Sequence, residues 1–445
     1  MAKRKSTKKQ VQKQVKKVKK VAKKYPVFTF IVVLVLVAAI VGSYFLHKKG
    51  IVNIPFFGEQ ETSESTKSSE NPATSEKPEI SETPEISETP EVSESPETSE
   101  EFETPEPDGP VGGDVITPAG LSIHFLELGN KYSGDCTLID IGDTEILIDA
   151  GSRKGSATTI CSYIDQYCTD GTLEYVIATH ADQDHIAAFV GSKSGSTRTG
   201  VLYNYSVGTL IQFPLTSKST TTESGGVSIY GEYVEAVEYA KTQGTTVYTA
   251  LECWNNLNGA SRSYTVGNGI TMNFLYQKYY EETTNDENDY SVCMLLTQGT
   301  NNYLFTGDLE KHGEASLVAN NALPKCKLFK GGHHGSPTSS TDALLSVIEP
   351  EIVCVCCCAG GTEYGAAPEN RFPSQAFVDR IAPYTDKVYV TTMLSADGNS
   401  YESMNGNITV SSDGGQVYVN CSNNNTILKE TAWFKENRTT PSAWS

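Results

Sequence analysis

Histidine is scarce in this chain, with seven among 445 residues. Four of the seven fall in two short segments, Thr179–His185 and Gly331–Ser336, so most of the imidazole is not spread through the fold as scattered packing. The sequence has no G-x-S-x-G turn and no glycine-rich phosphate loop, which excludes the usual serine-nucleophile elbow and a P-loop nucleotide site. Only one long apolar run is present, Val27–Leu46, too few for a channel built from many spans. Basic residues are also short, with 35 Lys and Arg against 54 Asp and Glu for a net charge of −19. A nucleic-acid-binding surface usually begins with the opposite imbalance.

The charge divides into three regions, +14 over residues 1–57, −15 over 58–110 and −18 over 111–445. Val27–Leu46 (VFTFIVVLVLVAAIVGSYFL) is uncharged and matches the roughly 20 residues that a membrane-spanning helix needs. Twelve Lys and Arg precede it within Met1–Lys24, and only Lys48 and Lys49 follow closely. The positive-inside bias therefore predicts a single-pass anchor over 27–46, a cytoplasmic tail over 1–26 and an extracellular remainder at the cell membrane. A cleavable signal peptide is the competing reading, but its apolar core is usually about 7–15 residues and no small-x-small site follows here. Residues 58–110 collapse to Ser, Thr, Glu and Pro, with the repeat PEISET, PEISET, PEVSES, PETSEE from Pro78 to Glu101. Proline every sixth residue forbids a regular helix and like charges extend the chain, so this stretch reads as a disordered linker. A folded domain is expected over 115–425, followed by a C-terminal tail, 426–445, that supports no functional claim.

Eleven cysteines include Cys354, Cys356, Cys357 and Cys358 in one run, IVCVCCCAG. That spacing lacks the paired C-x-x-C of a zinc ribbon and reads as a buried strand in which cysteine serves as a small apolar residue. The odd total points to free thiols and a reducing or anaerobic setting. In the stretch 193–287 the pattern predicts Gly/Ser/Thr-rich loops and one helix, Glu232–Lys241. Its aromatic residues Tyr203, Tyr205, Tyr230, Tyr233, Trp254 and Tyr264 are expected to be ordinary packing rather than a base-stacking platform.

Three short strands are expected at Leu121–Leu128, Cys136–Ile141 and Thr144–Asp149, and a fourth at Leu173–Thr179. The fourth runs into THADQDH (Thr179–His185). In an extended segment residues two apart share a face, so His180 and Asp182 can meet one cation, while a turn into the next helix aims Asp184 and His185 at another. An apolar strand ending at Gly307 and Asp308 and the segment GGHHGS (Gly331–Ser336) supply further candidates. Imidazole and carboxylate without thiolate suit zinc, manganese or iron in a site open to water.

Together LIDAG (Leu147–Gly151), THADQDH, FTGDLE (Phe305–Glu310) and HHGSPTSS (His333–Ser340) resemble the metallo-β-lactamase fold superfamily, most closely the hydrolase domain of ComEC-type DNA-internalisation competence proteins. The resemblance runs from about Leu121 to about Val419. It implies an α/β fold, an αββα sandwich of two mixed sheets with helices outside and a site for two divalent ions, zinc or manganese, at one edge. His180 and Asp182 would hold the first ion, Asp184 and His185 the second, and Asp308 both. Of His333 and His334, His334 is the expected second-site ligand, and Asp149 would support the loop from behind. Two departures stand out. The superfamily's extra first-site imidazole is missing, its stretch being occupied by Asn288 and Ser291, and NRFPS (Asn370–Ser374) lacks the histidine of the branch's Y-G-H-P.

The chemistry this implies is hydrolysis by a metal-activated water, with Asp184 and Asp308 as the central carboxylates. The leading expectation is a phosphodiesterase or nuclease whose partner is a phosphodiester substrate, DNA or a cell-wall polymer. Alternatives are an esterase on a phosphocholine or teichoic-acid linkage, an amide hydrolase, and a binding module that has kept the fold. No feature names a protein partner.

Overall fold

The computed structural model describes residues 120–445 apart from Asn268; the expected anchor, linker and the start of the domain at residue 115 lie outside the described residues. Among the described residues no helix is long and apolar enough to cross a membrane.

Two eight-stranded sheets form the framework. The first is entered by β1 (Leu121–Phe125), β2 (Thr137–Asp140) and β3 (Glu145–Ile148), each short and ended by a turn that contains glycine or aspartate. β4 (Thr172–Ala178) then pairs parallel to β3, after the crossover helix α1 (Ser156–Ile164). Helix α2 (Gln183–Val190) leaves the end of β4, and a small hairpin of β5 (Lys193–Ser194) and β6 (Thr197–Arg198) precedes α3 (Val201–Asn204). β7 (Ser206–Gln212), α4 (Ile229–Thr242), β8 (Thr246–Thr249) and α5 (Ala250–Asn255) complete this half.

The second sheet collects β9 (Ser263–Gly267), β10 (Ile270–Leu275), β11 (Cys293–Gln298), β12 (Asn301–Phe305), β13 (Leu328–Lys330), β14 (Ile352–Ala359), β15 (Val388–Leu394) and β16 (Tyr401–Ser403). Helices α6 (Lys311–Asn320), α7 (Asp342–Ile348) and α8 (Gln375–Ile381) connect its parallel strands. The hairpin β17 (Ile408–Ser412) and β18 (Val417–Cys421) returns to pair with β1, closing the order 18-17-1-2-3-4-7-8 beside 16-15-14-13-12-11-10-9.

The cysteine-rich strand shows how the sheets stack. On β14, Ile352, Cys354 and Cys356 face the core shared with the first sheet, while Val353, Val355 and Cys357 face a second core with Leu317, Ile348, Phe377 and Ile381 from the helices. Period-two alternation with both faces apolar is what a strand buried on two sides requires. Phe125 and Phe305 meet between the sheets at 6.4 Å, so the layers are αββα. All eleven cysteines are free thiols, and ten are buried.

Two stretches are more ordered than their sequence suggests. Residues 193–287 contribute four strands of the two sheets, β7 to β10, besides the expected helix, because apolar residues such as Leu210, Ile211, Met272 and Phe274 alternate into the core within segments rich in Ser and Thr. The aromatics there pack on one another, as with Tyr203 on Tyr239 at 4.8 Å and Tyr230 on Tyr233 at 6.5 Å. The tail 426–445 is also part of the domain. Leu428, Phe434 and Trp444 enter the second core, Thr431 caps α9 (Ala432–Asn437), and the Trp444 indole donates to Thr385 O at 2.9 Å.

The second core depends on large side chains from the helices. Phe377→Ala is expected to lower the unfolding free energy by about 3–5 kcal/mol in urea titration. Tyr418→Ala, at a position 56% exposed on β18, should stay within about 0.5 kcal/mol of the parent.

Candidate metal centre

Parallel pairing of β3 with β4 and of β12, β13 and β14 with one another puts their C-terminal ends at one edge of each sheet. Loops leaving that edge carry Asp149, Thr179–His185, Asp308 and Gly331–Ser336, and open α/β sheets commonly bind ligands at such ends. Asp149 takes a left-handed backbone (φ 58°) just past β3, which turns its carboxylate under the next loop. Its Oδ1 accepts from Thr179 N at 2.8 Å and its Oδ2 from the Thr179 hydroxyl at 2.7 Å. Gly151 runs so close to the start of α2 that a Cβ there would sit 1.6 Å from Asp184 O, which accounts for the glycine of LIDAG. Gly307 has a positive φ (53°) and lets β12 turn beneath Ser291 and Thr179. Val292 N donates to Thr179 O at 2.9 Å and His333 N to Gly307 O at 3.2 Å, tying the loops together.

Three imidazoles converge with the same polarity. His185 Nδ1 lies 2.8 Å from Asp149 Oδ2, and its Nε2 lies 3.1 Å from Asp308 Oδ2. His334 Nδ1 lies 2.8 Å from the Cys356 carbonyl, which can only accept, so that nitrogen donates and Nε2 is the one turned to the carboxylates, available to a metal once its proton is lost. That Nε2 is 3.2 Å from Asp308 Oδ2 and 3.4 Å from Asp184 Oδ2. His180 Nδ1 rests against Thr179 Oγ1 (3.1 Å) and Ser291 Oγ (3.3 Å), with Nε2 3.6 Å from Asp182 Oδ2. His180 Nε2, His334 Nε2 and Asp308 Oδ1 are buried and make no hydrogen bond among the described residues.

Buried polar atoms of this kind are costly without a partner, and nitrogen and oxygen donors with no thiolate are what a zinc, manganese or iron ion takes. The residues fit a divalent metal. His185, His334 and Asp308 meet with Asp184 3.4 Å from the His334 ring, while His180 and Asp182 lie 3.6 Å apart beside them, the His180 and His185 rings being 4.1 Å apart. His333 stands apart: it is partly exposed, with Nε2 3.8 Å from Asp308 and Nδ1 3.3 Å from Glu310. Ser291 reaches His180 and accepts from Asp308 N at 3.0 Å. Asn288, expected beside it, instead bonds Glu310 and lines the cavity, because the 3-10 turn Glu287–Tyr290 carries it outward.

Several groups escaped the sequence reading. Asp135 lies on the far side of His334, 3.2 Å from Nδ1, and forms a close ion pair with the buried Lys330. Although Asp135, His185, Asp308 and His334 cluster tightly enough to hold an ion, Asp135 reaches the imidazole from the side bonded to Cys356 and so orients it. A charged residue ending the buried strand β13 was the available signal for Lys330. Tyr364 donates to Asp184 Oδ2 at 2.6 Å and stacks on Phe372 at 5.4 Å, and Phe372 fills the place of the missing imidazole against His333 and His334. Arg153 covers the Tyr132 ring at 3.9 Å and pairs with Glu363.

The electrostatics follow from this packing. Burial alone would lower His185 and His334, but Asp308 with Asp149 or Asp135 outweighs it and holds both above the usual imidazole range. His180, with His185 beside it, is pushed down by burial. Burial would raise Asp184 and Asp308, yet the surrounding imidazoles keep both below the usual carboxylate range. Burial disfavours charge on Lys330, but Asp135 and Asp308 hold it above the ordinary lysine range. The group opens into a cavity of about 790 Å³ walled by Arg153, Asp184, His333, Thr338 and Tyr364.

Residues 129–193 match the family model described as the metallo-beta-lactamase superfamily. Among curated proteins it is similar to "Recombination protein 2" of Haemophilus influenzae, 27% identical over 27% of this chain and 14% of that protein. It is also similar to "Competence protein ComA" of Neisseria gonorrhoeae, 29% identical over 29% of this chain and 17% of the other. The match spans less than a fifth of the length of either relative. A solved structure, the metallo-beta-lactamase fold protein YhfI from Bacillus subtilis, aligns over 61% of this chain and 95% of its own at 11% identity and a TM-score of 0.34.

If Asp149 and Asp135 fix the imidazoles, Asp149→Asn should weaken zinc binding about 10–100-fold in competition with a chelator. His334→Ala should lower the zinc content, as counted by mass spectrometry of the desalted protein.

Proposed function

We propose that the chain is a metal-dependent hydrolase of phosphodiesters, a phosphodiesterase or nuclease. The observation that carries this is Asp308: one buried carboxylate within 3.1–3.2 Å of two imidazoles, in the wall of an open cavity. Bound there, divalent ions supply Lewis acidity and lower the pKa of a coordinated water towards neutrality. The chain's own residues do the rest. Asp149 and Asp135 hold His185 and His334 with Nε2 inward, and Ser291 holds His180 in the same sense. Lys330 neutralises part of the carboxylate charge beneath the centre. Tyr364, kept protonated by burial and by Asp184, presents a hydroxyl at the wall. Arg153, paired with Glu363 and lying over the Tyr132 ring, lines the same cavity.

A phosphodiester fits a site of this kind because its charge is met by cations that the acidic domain otherwise lacks. The names of the two curated relatives, which concern recombination and competence, support DNA as the polymer. The −18 charge outside the tail and linker supports a second reading, an ester in a cell-wall polymer. The apolar run Val27–Leu46 and its basic flank support a single-pass anchor with the domain outside the cell.

Full-length protein loaded with zinc or manganese should turn over a chromogenic phosphodiester, and Asp184→Asn should lower kcat/KM at least about 100-fold. A folded, metal-loaded protein with no turnover on the chromogenic ester, DNA or teichoic acid would refute the phosphodiesterase reading. For the anchor, alkaline carbonate should leave the chain in the membrane pellet, and deletion of 27–46 should release it.

A further inference from the structure

Lys218 belongs to the Ser/Thr-rich segment between β7 and α4, away from every metal-type motif in the sequence. Its ammonium lies 2.5 Å from Asp182 Oδ1, while Asp182 Oδ2 is the oxygen turned towards His180 Nε2. An exposed lysine pair is ordinarily weak because two long side chains must be ordered to form it. Here the backbone beneath the lysine is already fixed. Glu287, 4% exposed, accepts from Thr216 Oγ1, Ser217 N and Ser217 Oγ at 2.7 Å each, and from Ala181 N at 3.1 Å. Ala181 stands between His180 and Asp182, so one buried carboxylate clamps the ligand loop and the Lys218 loop in a single register.

The two donor groups are unequal in a way that gives this clamp a consequence. Asp184, His185, His334 and Asp308 bring four side chains to one point. The other group has His180 and Asp182, 3.6 Å apart, and Ser291 sits behind the His180 ring instead of supplying a further donor. Asp182 is the carboxylate of this group, and the Lys218 ammonium draws on it.

Resting on the metal-centre reading above, we propose that Lys218 is a built-in cation of the first site: held against Asp182 by Glu287, it makes the two sites unequal, so that the second site binds a divalent ion tightly and the first weakly. Lys218 acts through Asp182 and is a positioning residue. A fixed positive charge beside Asp182 opposes a second cation and lowers the donor strength of the carboxylate.

The test is zinc stoichiometry and affinity on the full chain, by calorimetric titration and by mass-spectrometric counting after desalting. The expected parent binds one zinc tightly and a second at least tenfold more weakly. Lys218→Met should raise the weaker affinity about 10–100-fold, so that two zinc ions survive desalting. Lys218→Arg, which keeps the charge, should behave as the parent, a rescue that a merely structural role does not predict. Adding His180→Ala to Lys218→Met should remove the gained ion and so locate it. Two zinc ions of equal affinity in the parent, or an unchanged weaker affinity in Lys218→Met, would overturn the proposal while leaving the metal centre intact. No zinc in any form would overturn both.

Discussion

The structure depends on burying a carboxylate, Asp308, among three imidazoles at the seam of two sheets. An unpaired buried charge is among the costliest things a fold can contain, so its surroundings are heavily constrained. His185 and His334 approach it from different sheets, each held from behind by an acceptor of its own. Lys330 approaches from below, bound mainly to Asp135. The result is a charge-balanced cluster that specifies how the loops of one sheet meet those of the other.

That constraint accounts for features which look unrelated in the chain. The left-handed turn at Asp149, the close approach at Gly151 and the positive φ at Gly307 are backbone accommodations to the same seam. The cysteine run has its place there too. Small side chains on β14 pack on both faces, and one carbonyl of the run, that of Cys356, sets the tautomer of His334. A strand that reads as mere core therefore also tunes the site.

The domain is acidic and so is its cavity, whose wall has Asp182, Asp184, Asp308, Glu310 and Glu363 against Arg153. Positive charge supplied only at bound cations in a negative molecule favours ligands that are anionic at one point rather than a long polyanion lying along the surface. This tension separates the DNA reading from the wall-polymer reading, and it is set by where charges sit rather than by their sum.

The strand-end motifs were legible because their chemistry is local. A His/Asp cluster closing an apolar run is a poor core, and the period-two pattern of β14 shows in the sequence itself. His180, Asp182, Asp184, His185, Asp308 and the pair His333 and His334 could be named together for that reason. The supporting groups could not. Asp135 and His334 are 199 residues apart, and Lys218 and Glu287 reach the ligand loop from the Ser/Thr-rich stretch and a 3-10 turn whose residues look ordinary. The tail containing Trp444 looked patternless because three widely spaced apolar residues suffice once a core exists to receive them. The sequence by itself determined which residue types could bind metal and on which strands they stand. Only the tertiary structure decided which nitrogen of each imidazole faces inward, which of the paired histidines joins the cluster and which cations share it, because these follow from contacts between segments distant in the chain.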